Sequence, residues 1–189
     1  HVIVLSDDEI DSSAPLMTLI QVPCQTNPDD IVMKVQDMFD YFHAWEADIT
    51  EKIFQKKPLQ EIFDLACTNL TNPIALFDSG SSLLMVSGNI PLRATGSIWD
   101  EILTKGYSPK EDDEIFLKKQ LEKGVPFHFR SSDIYKNHDR LIAPIRYRKT
   151  LIGILGMTDI YTPFTKSERA NLFIVQHFMQ NAFSVSEEF

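Results

Sequence analysis

Apolar residues between positions 31 and 49 fall at Ile31, Val35, Met38, Phe42, Trp45 and Ile49, in steps of 4, 3, 4, 3 and 4. That spacing is a heptad seam and predicts an amphipathic helix. Its ends are signposted. Asn27 suits the cap, Pro28 the first helical position, and Asp29 and Asp30 the positive end of the helix dipole. Lys56 and Lys57 suit the last turn and Pro58 stops it, so the predicted helix runs over 28–57. Ile53 comes at a step of 4 where 3 is due, so the seam slips there, and Val32 and Phe39 widen the stripe. A helix of this length needs a partner for its apolar face. A second copy of the same helix supplies one, which makes Ile31, Val35, Met38, Phe42, Trp45 and Ile49 the expected dimerisation residues. The plainer alternative is that the stripe lies on the chain's own core.

After Pro58 the period changes repeatedly. Leu59, Ile62, Phe63, Ala66 and Cys67 share one face of a helix over 59–70, which Asn72-Pro73 ends. Ile74–Phe77 and Leu83–Val86 read as strands joined by an Asp78-Ser79-Gly80 turn. Ser97 suits the cap of a short helix holding Ile98, Trp99, Ile102 and Leu103, and Gly106 closes it. Ser108-Pro109-Lys110-Glu111 has the capping-box pattern and opens a helix ending at Gly124. Three strands follow, at Pro126–Arg130, Leu141–Arg148 and Leu151–Asp159. The last is almost wholly apolar, as a central strand is. Thr165-Lys166-Ser167-Glu168 is a second capping box. It opens a final helix with Leu172, Val175, Phe178, Met179, Ala182 and Phe183 inward.

No helix regularly separates successive strands, which argues against a parallel doubly wound sheet. The expected fold is α+β: a five- to six-stranded antiparallel sheet with helices packed on it, preceded by the long helix. The domains expected are a strand segment over 1–27, the tail of a preceding domain; a linker or dimerisation helix over 28–57; and a main domain over 58–189.

The chain has 189 residues, 43% of them hydrophobic and 24% charged, which is a globular composition. No apolar run reaches the roughly 20 residues of a membrane-spanning helix, and no signal segment is present. The first residue is His1, within an apolar run, and the chain is read as a piece of a longer protein. The net charge of −9 is uneven: residues 1–57 hold 11 acidic and 4 basic side chains, residues 58–189 hold 16 and 14. Neither part has the basic footprint of a nucleic-acid binder, so any DNA contact is expected in a domain outside this chain. Cys24 and Cys67 lack metal-ligand spacing and read as free thiols in a reducing cytosol.

Catalytic signatures are sparse. His43, His128, His138 and His177 have no spacing that sets metal ligands on one helix face, and there is no HExxH or CxxC, so no metal and no cofactor is expected. Ser79-Gly80-Ser81-Ser82 is not a nucleophile elbow, and Gly153-Ile154-Leu155-Gly156 sits in a strand without the Lys-Ser/Thr of a phosphate loop. Glycines inside a strand more often mark the close approach of a helix or ligand. The acidic run 111–114 belongs to the start of a helix. No enzyme is expected. A small-molecule site between sheet and helices fits better, with Trp99, Phe127, Phe129, Tyr147 and Met157 as wall and Arg130 and Arg146 as anion contacts. The competing reading makes these ordinary core and surface residues.

The run LQEIFDLACTNLTNPIALFDSGSSLLMVSG resembles the start of the sensor region in PucR-like and CdaR-like bacterial transcription regulators. The FHAWEADITEKIFQKK segment resembles their linker helix, and LIAPIRYRKTLIGILGMTDIYTPFTKSERANLFIVQHFMQNAF the closing hairpin and helix of a GAF-like module. The resemblance spans about 28–189. It implies a GAF/PAS-like, cytoplasmic, homodimeric sensor that passes an unknown small-molecule or partner signal to a DNA-binding domain absent here, with no membrane contact. The alternative is a dimerisation or interaction module of the same shape that binds no small molecule.

Overall fold

The computed structural model describes residues 2–5, 19–87, 98–108, 114–129 and 138–186. The chain forms two compact units, His1–Ala47 and Asp48–Phe189.

In the first unit, β1 (Val2–Leu5) and β2 (Leu19–Val22) pair in parallel, Val2 opposite Leu19 and Leu5 opposite Val22. Helix α1 (Pro28–Phe54) starts in this unit and ends in the second. Its start is capped as the sequence predicts: Asn27 Oδ1 accepts from the Asp29 N–H at 3.1 Å. Its end comes earlier than predicted. Lys56 takes a left-handed φ of 51°, and the Lys57 N–H returns to the Lys52 carbonyl at 3.0 Å. That is a Schellman-type closure with Lys where glycine is usual. Along the seam, Ile31, Val35 and Phe42 are half-buried, Met38 is exposed, and Trp45 and Ile49 are buried. Val32 and Phe39 are 67% and 52% exposed.

The second unit is built on a five-stranded sheet. Its strands are β3 (Ile74–Asp78), β4 (Leu83–Val86), β5 (Phe127–Phe129), β6 (Arg140–Tyr147) and β7 (Thr150–Thr158), in the order β4-β3-β7-β6-β5. Every neighbouring pair is antiparallel. The most apolar strand, β7, is central, as its lack of alternation predicts. Helices α2 (Leu59–Ala66), α3 (Ile98–Lys105), α4 (Glu114–Glu122) and α5 (Lys166–Val185) complete the unit. The element order is the predicted one, and the fold is α+β.

Register divides the sheet into two faces. Leu76, Leu155 and Ala143 lie in one row, and Ile74, Met157 and Leu141 in the next. All six are fully buried. They form the face covered by α5 and α2, with Ile62, Phe63, Leu172, Val175 and Met179 buried in the helices. At about 1.5–3 kcal/mol per large apolar side chain, this layer supplies most of the domain's stabilisation. On the opposite face, Ala75 and Phe77 cluster with Trp99 and Ile102 of α3. Phe127, Phe129 and Ile142 cluster there with Leu121 of α4.

Local chemistry fixes the connections. Asp78 Oδ1 accepts from the N–H groups of Gly80 and Ser82 at 2.8 and 2.7 Å. This Asx turn joins β3 to β4, with the positive φ (71°) at Ser81 rather than at Gly80. Gly106 and Gly124 close α3 and α4 at φ 73° and 75°, where glycine alone carries no steric cost. A bridge between Ser82 and Tyr107 then ties the residues after α3 to the start of β4. The predicted caps at Ser97 and Pro109–Glu111, and the acidic residues 111–113, lie outside the described residues. Neither cysteine is in a disulfide; Cys67 is buried and Cys24 is exposed.

One polar knot closes the unit. Asn72 is 1% exposed and uses both ends of its amide. Its Nδ2 donates to the Thr162 carbonyl at 2.8 Å and to Glu168 Oε1 at 2.9 Å. Its Oδ1 accepts from the N–H groups of Tyr161 and Thr162 at 2.9 and 3.2 Å. Glu168 is also the box residue of α5: its Oε2 accepts from the Thr165 N–H at 3.2 Å, and its own N–H donates to Thr165 Oγ1 at 3.2 Å. Replacing Asn72 by Ala leaves a buried carboxylate oxygen and two backbone N–H groups short of a partner. The expected loss is about 2–4 kcal/mol, read in urea denaturation as a lower midpoint with an unchanged slope.

Candidate functional site

The face of the sheet under α3 and α4 is not filled. A cavity of about 580 Å³ lies there, lined mainly by apolar side chains. Its floor is Phe77 of β3, Ile142 of β6, and Leu151, Ile154 and Gly156 of β7. One wall is Trp99 and Ile102 of α3, the other Leu117 and Leu121 of α4. The β3–β4 turn, Ser79 to Ser81, edges it together with Tyr107 and Ser108.

Glycine spacing explains why room exists. Residues 154, 156 and 158 of β7 alternate onto this face, and the middle one has no side chain. A Cβ on Gly156 meets only the Phe77 ring edge at 3.5 Å, ordinary contact. Gly153 has a different cause. It faces the covered side, where a Cβ comes within 2.8 Å of the Phe77 carbonyl oxygen and 3.1 Å of a Leu76 methyl. One glycine of the GILG run admits a close backbone; the other leaves space.

The polar lining is specific. Arg140 and Thr158 are cross-strand partners at one end of the floor, and both are buried. Arg140 is 5% exposed, and its guanidinium lies 4.7 Å from the centre of the Phe129 ring. Lys118 of α4 adds a second positive charge. Trp99 is almost fully buried, and its indole N–H makes no hydrogen bond among the described residues.

The residues singled out in the sequence separate. Trp99 lines the cavity. Phe127 and Phe129 are on the same face but pack into the β5–β6–α4 cluster beside it. Met157 is on the opposite face, under α5, because its register partners Ile74 and Leu141 are there. Arg146 donates to the carbonyls of Lys149 and Leu121, at 2.7 and 3.0 Å, and so braces the β6–β7 turn against the end of α4. Tyr147 is at that turn, beside Arg148. Arg130 lies outside the described residues. Sequence reasoning missed Arg140: the strand expected at Leu141–Arg148 stops one residue short of it, and only register places it beside Thr158.

Other reactive groups are engaged elsewhere. Burial, with Asp64 nearby, pushes the Cys67 thiol well above its ordinary range, so it is held protonated. His138 Nδ1 is 3.1 Å from Asp159 Oδ1, a contact that joins the start of β6 to the end of β7. Among the described residues no cluster of three or more His, Cys, Asp or Glu side chains is arranged to hold a metal ion. Nor is any helix among them long and apolar enough to cross a membrane.

The two glycines give a direct check of this geometry. Gly156→Ala is expected to change stability by less than about 1 kcal/mol, whereas Gly153→Ala forces the β3 backbone and is expected to cost about 1–3 kcal/mol. Urea denaturation of the two variants separates them.

No protein-family model matches the chain, and no curated protein matches it. Among solved structures it is similar to the GAF domain/HD domain protein from Geobacter sulfurreducens, at 19% identity over 67% of this chain and 89% of that one, with a TM-score of 0.47. It is also similar to the A. aeolicus Nlh2 GAF domain in an inactive state, at 14% identity over 76% and 98%, with a TM-score of 0.46. A third is the GAF domain of a phosphoenolpyruvate-protein phosphotransferase from Coxiella burnetii, at 15% identity over 75% and 91%, with a TM-score of 0.45.

Proposed function

We propose that residues 48–189 are a sensor domain that binds a small molecule between the sheet and helices α3 and α4. The cavity carries the reading: it is concave, mainly apolar, and furnished with a few convergent polar groups, as ligand sites are. The wider proposal, which rests on the resemblance of residues 28–189, is a cytoplasmic bacterial transcription regulator of the PucR/CdaR kind. It reads its signal here, catalyses nothing, and acts on DNA through a domain outside this chain.

Hydrogen bonds offer a route from site to output. Leu117, Lys118 and Leu121 bring α4 to the cavity. The turn after α4 is tied to α5 twice. Gln176 Nε2 donates to the Gly124 carbonyl at 3.0 Å, and an Arg169 guanidinium nitrogen to the Pro126 carbonyl at 3.0 Å. Gln176 also donates to the Pro144 carbonyl of β6 at 2.6 Å. A ligand that changes the seat of α4 therefore biases α5, provided it binds the two arrangements with different affinity. A compound at 100 times its dissociation constant adds about 2.7 kcal/mol of stability. Screening metabolites by thermal shift is expected to find one that raises the melting temperature of the unaltered protein. If none does, the interaction-module reading is preferred.

We also propose that the protein is a homodimer through α1. Met38, Val32 and Phe39 leave apolar surface exposed along that helix, and surface of this kind marks association sites. Met38→Lys with Phe42→Lys is expected to halve the sedimenting mass. Sedimentation unchanged from the parent protein overturns the dimer.

A further inference from the structure

We infer that the ligand of this cavity is a planar aromatic ring system that lies flat on the sheet over Gly156, and that Gly156 selects it by shape. The inference rests on the sensor reading above and narrows it to a chemical class. The floor comes first. Gly156 of β7 pairs with Ala75 of β3 on one side and with Ile142 of β6 on the other. These positions share the face under α3 and α4, so the middle row of the floor holds a hydrogen and a methyl before it reaches Ile142. The rows to either side stand taller: Phe77 with Ile154, and Arg140 with Thr158. A Cβ built at 156 stands 3.5 Å from the Phe77 ring edge, at ordinary contact distance, so the hollow over the glycine is flanked by that ring.

The walls come second. Trp99 of α3 clusters with Ala75 and Phe77, which sets its indole at one side of the hollow, and Leu117 and Leu121 of α4 stand at the other. A flat ring over Gly156 therefore meets an indole and the edge of Phe77, the offset and edge-to-face contacts that aromatic pairs prefer. A puckered saturated ring makes neither and stands higher from the floor. The cavity, about 580 Å³, is roughly four times the 150 Å³ in which an apolar core takes up one benzene, so fused rings with substituents have room. One end is closed by the buried pair Arg140 and Thr158. The other opens at Ser79, Gly80 and Tyr107, which are exposed. Polar substituents of the ring system face that mouth, where the turn and water receive them.

The test titrates two probes of one skeleton, 1-naphthol and its saturated form decahydro-1-naphthol, into the unaltered protein by calorimetry. The saturated probe has at least as much apolar surface, so burial by area alone does not favour naphthol. Naphthol is expected to bind at least about fivefold more tightly, within what aromatic pairs add beyond area. Gly156→Ala is expected to keep the urea midpoint near the parent's and to weaken naphthol about tenfold, the effect of one misplaced methyl in an apolar pocket. Gly156→Val is expected to abolish its binding. Equal affinity for the two probes, or a preference for the saturated one, overturns the planar-ring inference and leaves the small-molecule reading standing. Naphthol binding that both substitutions leave unchanged places the ring elsewhere and overturns the inference. Binding of neither probe to the unaltered protein overturns the inference, and the thermal-shift screen then decides the small-molecule reading by itself. Because the first comparison needs no substitution, the outcome does not depend on whether Gly156→Val folds.

Discussion

The Asn72 amide holds together two distant segments of the second unit. It sits at the corner between α2 and β3, and its partners are Tyr161 and Thr162, between β7 and α5, and Glu168 in the first turn of α5, about ninety residues later. Ordering such a segment closes a long loop, an entropic cost that a single weak contact does not offset. A buried amide with both oxygen and nitrogen satisfied meets it with net hydrogen-bond energy, and with a penalty on every alternative register, since each leaves a buried polar atom unpaired. Glu168 makes the arrangement self-consistent. The same carboxylate completes the capping box of α5 and accepts from Asn72, so the helix starts only where the knot forms. The entry angle of α5 over the sheet, and with it the packing of Leu172, Val175 and Met179, follows from that point.

With α5 and α2 fixed on one face, the two sides of the sheet take different tasks. The covered face is closed by fully buried aliphatic rows and tolerates no added atom at Gly153. The other is bridged by two short helices that meet it at its margins, through the Trp99–Phe77 and Leu121–Phe127 clusters. Between those clusters lies the cavity. The division leaves one sheet closely packed on one side and incompletely filled on the other, because the packing stabilisation resides mainly under α5.

The two faces are nevertheless joined. Gln176 is 2% exposed, and its Nε2 bonds the carbonyls of Gly124 and Pro144 at once. Pro144 has no N–H to offer its strand, and it sits one residue before a register shift in β6. A side chain from α5 thus fastens both the irregular point of the sheet and the turn that ends α4. Movement of the cavity's α4 wall has a direct mechanical connection to the last helix. The heptad face of α1 divides similarly: Ile49 is fully buried, whereas Met38 and Phe39 are half exposed.

Most of the local structure was legible because its causes are local. Asn27-Pro28, the Asp78 turn, Gly106, Gly124 and the Thr165–Glu168 box act over four residues or fewer, and helix or strand periodicity acts over ten or so. They gave the element order, the central strand and the α+β class. The wall residue Trp99 was legible too, from its place on a short helix beside apolar partners. Arg140, the cavity's buried cation, was not. A strand's alternation says that Arg140 and Ile142 share a face, but not which face, nor that Thr158 stands beside them. For the same reason Met157 reads in the sequence as a wall residue, although register puts it on the far side of the sheet from Gly156. The sequence by itself determined which segments are helices and strands and where they begin. Tertiary structure alone decided which face α5 covers, and hence where a cavity remains, because that choice depends on register and on side chains such as Asn72 and Glu168 that meet across 96 residues.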